Sequence, residues 1–200
     1  MKGSIKIVSI FVIGLLLGLH FDSLAQACSG NLSRYILYTM MLIVGMGIGS
    51  DKGTLAALKA QDRRIILLPL ATIVGSLLGA LAFYPLLSEI SLSESMAVAS
   101  GFAYYSLSSI LLHEYCGAEI GTIALLANII REITTILAAP LMVRYFGRLS
   151  VISSAGAASI DTLLPIITRF SGKEYVVIAL FHGLVMELSV PILVTLFGSM

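Results

Sequence analysis

Residues 65–87 contain no charged side chain. As a helix rising 1.5 Å per residue, the stretch is about 35 Å long, enough to cross the roughly 30 Å hydrocarbon core of a bilayer. A soluble fold would have to hide every face of such a helix, and the rest of the chain offers little polar sequence to do so. Only 12% of the 200 residues are charged and 58% are apolar, with a mean hydropathy of +1.02. An ordinary soluble domain carries about 25% charged residues. The expected class is therefore an all-α polytopic membrane protein. A net charge of +1 gives no reason to expect a nucleic-acid partner. Cys28 and Cys116 form no C-x-x-C pair, so they read as packing residues rather than as a metal site or disulfide.

Further apolar segments run through residues 5–22, 34–50, 95–112, 119–143, 151–168 and 175–198. The first resembles a secretory signal, with Lys2 and Lys6 ahead of an apolar run and Ala25-Gln26-Ala27 after it. An uncleaved first span is the preferred reading, because more hydrophobic sequence follows at once. Residues 95–112 and 151–168 are unusual, being rich in serine and glycine, with Asp161 and Pro165 inside the second. If every segment crosses, loop Lys and Arg divide eight against three. If these two instead dip in and return, Arg144 and Arg148 change sides and the division becomes ten against one. The positive-inside rule favours the second arrangement. It predicts five spans and two broken or re-entrant segments, with the N-terminus inside and the C-terminus outside. Lys52, Lys59, Arg63 and Arg64 then serve as topology signals. The chain reads as one membrane-embedded domain over 1–200: three spans within 1–94, then dip-plus-span units at 95–143 and 151–198.

A shift of 55 residues aligns Gly101 with Gly156, Gly117 with Gly172 and Glu119 with Glu174. It also aligns Ile123-Ala124-Leu125 with Ile178-Ala179-Leu180, and Glu132 with Glu187. In the predicted topology the two copies enter from opposite faces, the inverted-repeat pattern of many transporters.

Ionisable residues inside a membrane are costly and are functional candidates by default. Glu132 leads, with Asn128 and Thr135 expected on its helix face and Arg131 about 100° away. A structural role for Arg131 and Glu132, neutralising buried partners, is the competing view. Asp161 precedes Pro165 by four residues, so the proline offers no N–H to its carbonyl. Carboxylate and freed carbonyl make a candidate cation site, against the plainer role of a helix cap. Ser100, Tyr104, Tyr105 and Ser106 are candidate lining of an aqueous path, or ordinary helix packing. His182 and Glu187, five residues apart, do not share a face well and are set aside. Gly14-x-x-x-Gly18 and Gly45-x-Gly47-x-Gly49 read as packing motifs.

Enzyme signatures fail. His113-Glu114 begins H-E-x-x-H, but Gly117 occupies the second histidine's place. There is no G-x-S-x-G elbow, no P-loop and no second aspartate in another span to pair with Asp161. No cofactor or metal is expected.

Four ordered blocks remain: Ala99-Ser100-Gly101-Phe102-Ala103-Tyr104-Tyr105-Ser106-Leu107-Ser108, Asn128-Ile129-Ile130-Arg131-Glu132, Gly156 through Pro165, and His182-Gly183 ahead of Pro191. In these the chain resembles the bacterial lysine exporter (LysO) family. The resemblance implies export of L-lysine, and of its analogue thialysine, across the inner membrane, with the acids matching Glu132 and Asp161 required. Ala103 stands where relatives commonly have Gly, Tyr104 where Trp is common, and Ser109 where Gly occurs. Full-length relatives carry about three more N-terminal spans, so a separate small three-span membrane subunit, or a homo-oligomer, is expected to complete the transporter. Proton-coupled alternating access is the expected mechanism. A cation/proton antiporter or other small-solute carrier is the alternative, and a non-transporting scaffold the third reading.

Overall fold

The computed structural model describes residues 63–200 apart from Ser88, together with six helical positions earlier in the chain: Ile13, Leu17, Tyr35, Thr39, Leu42 and Met46. The expectations for Cys28, Lys52, Lys59, both glycine motifs and the signal-like N-terminus lie outside the described residues. Two units are distinguished, Met1–Ser50 and Asp51–Met200, and the architecture below is that of the second.

The charge-free segment forms α1 (Arg63–Phe83), followed by a short 3-10 turn at Tyr84–Leu86. Ser91 then starts α2 (Leu92–Ala99) with a reciprocal cap: its hydroxyl accepts from the Glu94 N–H, and its own N–H donates to the Glu94 carboxylate. After an irregular stretch at residues 100–104 come α3 (Tyr105–Cys116) and the long α4 (Ala118–Phe146). Gly147, with φ +85, ends α4 and admits α5 (Leu149–Ala155). A 3-10 turn at Gly156–Ile160 leads to α6 (Leu164–Phe170), and α7 (Val176–Gly198) closes the chain. These seven α-helices are apolar, and the described residues contain no strand. Among the described residues, three stretches, Leu67–Leu86, Ala118–Phe146 and Lys173–Gly198, are long and apolar enough to cross a membrane.

The two segments expected to dip are each a short helix, a break and a second short helix. They extend further than the sequence pattern marked, over Leu92–Cys116 and Leu149–Phe170. The ends of the second one meet: the Ser171 hydroxyl donates to the Arg148 carbonyl at 2.7 Å, beside an Arg148–Glu174 ion pair at 2.8 Å. In the first, the Glu94 carboxylate in the opening turn lies within electrostatic reach of the Cys116 thiol at the closing end. The second segment is thus folded back on itself, with its two ends in contact.

The breaks touch. The Ala157 N–H donates to the Phe102 carbonyl at 2.8 Å, and these two residues are themselves 55 apart. That separation equals the shift that aligns the weak internal repeat. Phe102 and Ala103 adopt left-handed φ values of +42° and +67°, and Gly156 has φ +61°. A Cβ on Gly156 would run into the Phe102 carbonyl. Around the crossing the core is built from Val151, Ile152, Ala155, Leu163, Ile167 and Ala179, packed with Ala103 and Ala139.

Candidate functional site

Where the breaks cross, the half-helices leave polar backbone and side chains at the depth of the apolar helices. Such irregular backbone is tolerated in a membrane only where protein or a cavity covers it. A cavity of about 70 Å³ lies there, lined by Tyr104, Tyr105 and Ser106 from the first break, Asp161 and Thr162 from the second, and Glu187 of α7. At 10–15 Å³ per water, it has room for a handful of waters or one ammonium head. The charges of Asp161 and Glu187 act on each other, and both reach the Tyr104 hydroxyl. Asp161 Oδ1 accepts from the Thr162 N–H. The Asp161 carbonyl, expected to be free because of Pro165, accepts from the Leu164 N–H at 3.3 Å; the neighbouring amide takes up what the proline leaves. Pro191, inside α7, likewise has no N–H to offer Glu187, four residues back. Two carboxylates, a phenol and local backbone oxygens suit an ammonium group or a proton.

Glu132 is half-buried and lines neither this cavity nor a larger one described next. The acid that the fold brings to Asp161 is Glu187, its repeat equivalent. The buried stripe on α4 passes through Asn128, Arg131 and Thr135, spaced three and four apart. Asn128 is 3% exposed and acts as a clasp: its Oδ1 accepts from the Ala103 N–H at 2.7 Å, and its Nδ2 donates to the Ala124 carbonyl and the Ser108 hydroxyl. Thr135 donates to the Arg131 carbonyl and pairs with the Ser154 hydroxyl at 2.6 Å. Arg131 donates through Nε to the Ser154 carbonyl and through Nη2 to the Ser153 carbonyl. Those carbonyls end α5, where helix-internal partners run out. Its Nη1 donates to the Ser76 hydroxyl, and its guanidinium lies 5.9 Å from the centre of the Phe102 ring. Arg131 therefore holds both breaks. Ser100 is fully buried and its hydroxyl bonds the Met96 carbonyl, whereas Tyr104 and Ser106 line the acidic cavity.

Sequence reasoning passed over His182. It is fully buried; its Nε2 meets the Thr72 hydroxyl at 2.9 Å, and Thr72 meets Ser153 at 2.7 Å. The signal available was Thr72 and Ser76, the polar residues one turn apart in an otherwise charge-free span. A second cavity of about 380 Å³ lies among α1, α4 and α5, with Thr72, Ser76, Arg131, Ser150, Ser153 and Ser154 on its wall.

Long apolar helices combined with paired broken segments that meet around acidic groups are an arrangement that recurs among polytopic membrane transporters. The comparisons narrow the class. The chain belongs to the lysine exporter LysO family, whose profile matches residues 8–198. It is 32% identical over 196 residues to the lysine exporter LysO of Escherichia coli K12, an alignment covering 98% of this chain and 64% of that protein. It is 30% identical over 200 residues to a Haemophilus influenzae protein provisionally described as a lysine exporter, covering 97% of each. The chain thus spans less than two thirds of the Escherichia coli relative. No solved structure matches it significantly.

Proposed function

We propose that the protein exports L-lysine, and with it thialysine, from the cytoplasm across the inner membrane. The carrying observation is the Asp161–Glu187 pair facing Tyr104 at the crossing of two broken segments. Two carboxylates fit a cationic substrate, and the same groups hold a proton when the substrate leaves. Proton exchange then drives export, and the paired breaks provide the moving element of alternating access. Asn128, Arg131 and Thr135 hold that element together, while Glu132 supplies a further acid on α4.

The orientation rests on charge. Arg144, Arg148, Arg169 and Lys173 gather where α4 ends and α7 begins, and the opposite end carries Glu89, Glu94, Glu114 and Glu119. By the positive-inside rule the first end faces the cytoplasm, giving five spans with the C-terminus outside. A small membrane subunit or a second copy of the chain completes the assembly.

The test is efflux of labelled lysine from cells at matched membrane expression, with the chain expressed alone and beside any small membrane protein encoded next to it. Asp161→Asn and Glu187→Gln are each expected to lower efflux at least tenfold, and Glu132→Gln several-fold. Efflux untouched by both of the first two changes would remove the acid pair from the mechanism. Uptake and release of sodium that lysine does not compete with would favour the antiporter instead.

A further inference from the structure

The larger cavity takes no part in the chemistry of the acid pair. Among the described residues, Arg131 is the one ionisable side chain on its wall; the rest is hydroxyl and apolar. A guanidinium has five N–H groups. Three are directed to the Ser154 carbonyl, the Ser153 carbonyl and the Ser76 hydroxyl at 2.9, 3.2 and 3.2 Å. One N–H on each terminal nitrogen is left over from these bonds, and a carboxylate is the anion that can take two guanidinium N–H groups at once. The three oxygens are neutral, so they solvate the cation without cancelling its charge. At mid-membrane an uncompensated charge is costly, and an entering anion relieves it. The cavity also reaches along the last turns of α4 to Phe146 and Ser150, at the end that carries Arg144 and Arg148. That basic end attracts anionic groups.

We propose that this cavity binds the carboxylate end of a zwitterionic amino acid, with Arg131 forking the carboxylate and the Ser76 hydroxyl beside it. The inference rests on the export reading for its ligand, and it adds the half of the substrate that the acidic cavity does not explain.

The test treats the purified full-length chain with phenylglyoxal and reads modification of Arg131 by peptide mass spectrometry. Arg131 is expected to react, and saturating lysine or acetate is expected to slow the reaction at least tenfold. Cadaverine, which is lysine without its carboxylate, and chloride are expected to leave the rate unchanged. Ser76→Ala, which removes no charge, is expected to weaken acetate protection several-fold. An inert Arg131, no protection by acetate, or equal protection by cadaverine or chloride would overturn the site. Acetate is informative whether or not the protein moves lysine. Protection by acetate but not by lysine would therefore sink the export reading and leave the carboxylate site standing.

Discussion

Asn128 shows how much one side chain settles in this fold. Its amide reaches the Ala103 N–H, the Ser108 hydroxyl and the Ala124 carbonyl, joining α4 to the first break and to α3. Gly101 lies so close that a Cβ there would strike the amide. Asn128→Ala leaves the Ala103 N–H buried without an acceptor and opens a void, at a cost of about 2 kcal/mol. Thermal unfolding of the purified protein checks this. A midpoint for Asn128→Ala equal to the parent's would show that the clasp is dispensable. Ala103 carries a different strain. Its φ of +67° is one that glycine adopts freely and alanine at a cost of about 1–2 kcal/mol.

The helices were legible in the sequence to different degrees. Runs such as 65–87 and 119–143 announced themselves because an apolar helix needs no partner to be recognised. The dips were visible only as an excess of Ser and Gly, and their ends were misplaced, since capping by Ser91 and the turn at Gly147 depend on backbone geometry rather than hydropathy. The Asp161–Glu187 meeting was not legible, because it is made by the crossing of segments far apart in sequence. Helical spacing put Asn128 and Thr135 on the face of Glu132; one residue's shift turns a face by 100°, and the hydrogen-bonded face of α4 runs through Asn128, Arg131 and Thr135. Two glycines test what the breaks demand. Gly156→Ala would drive a Cβ into the Phe102 carbonyl at φ +61°, whereas Gly147, at φ +85°, has open space where a Cβ would stand. Gly147→Ala should cost about 1–2 kcal/mol through its backbone alone, and Gly156→Ala several-fold more. Comparable yields of folded protein for the two variants would contradict the tight crossing.

At the scale of the molecule, the described residues gather basic side chains at one end and acidic ones at the other, and the proposed topology returns both broken segments to their starting side. Single cysteines in place of Arg144 and Lys173 should therefore react with an impermeant thiol reagent from one face, and cysteines in place of Glu89 and Glu119 from the other. Labelling of the first pair from opposite faces would refute the returning hairpin. The short bond between the Ala157 N–H and the Phe102 carbonyl has a consequence for how such a machine tolerates change. Two gear wheels that mesh at a single tooth cannot turn independently. A substitution that reshapes one break at that tooth, as Gly156→Ala would, is felt at once by the other.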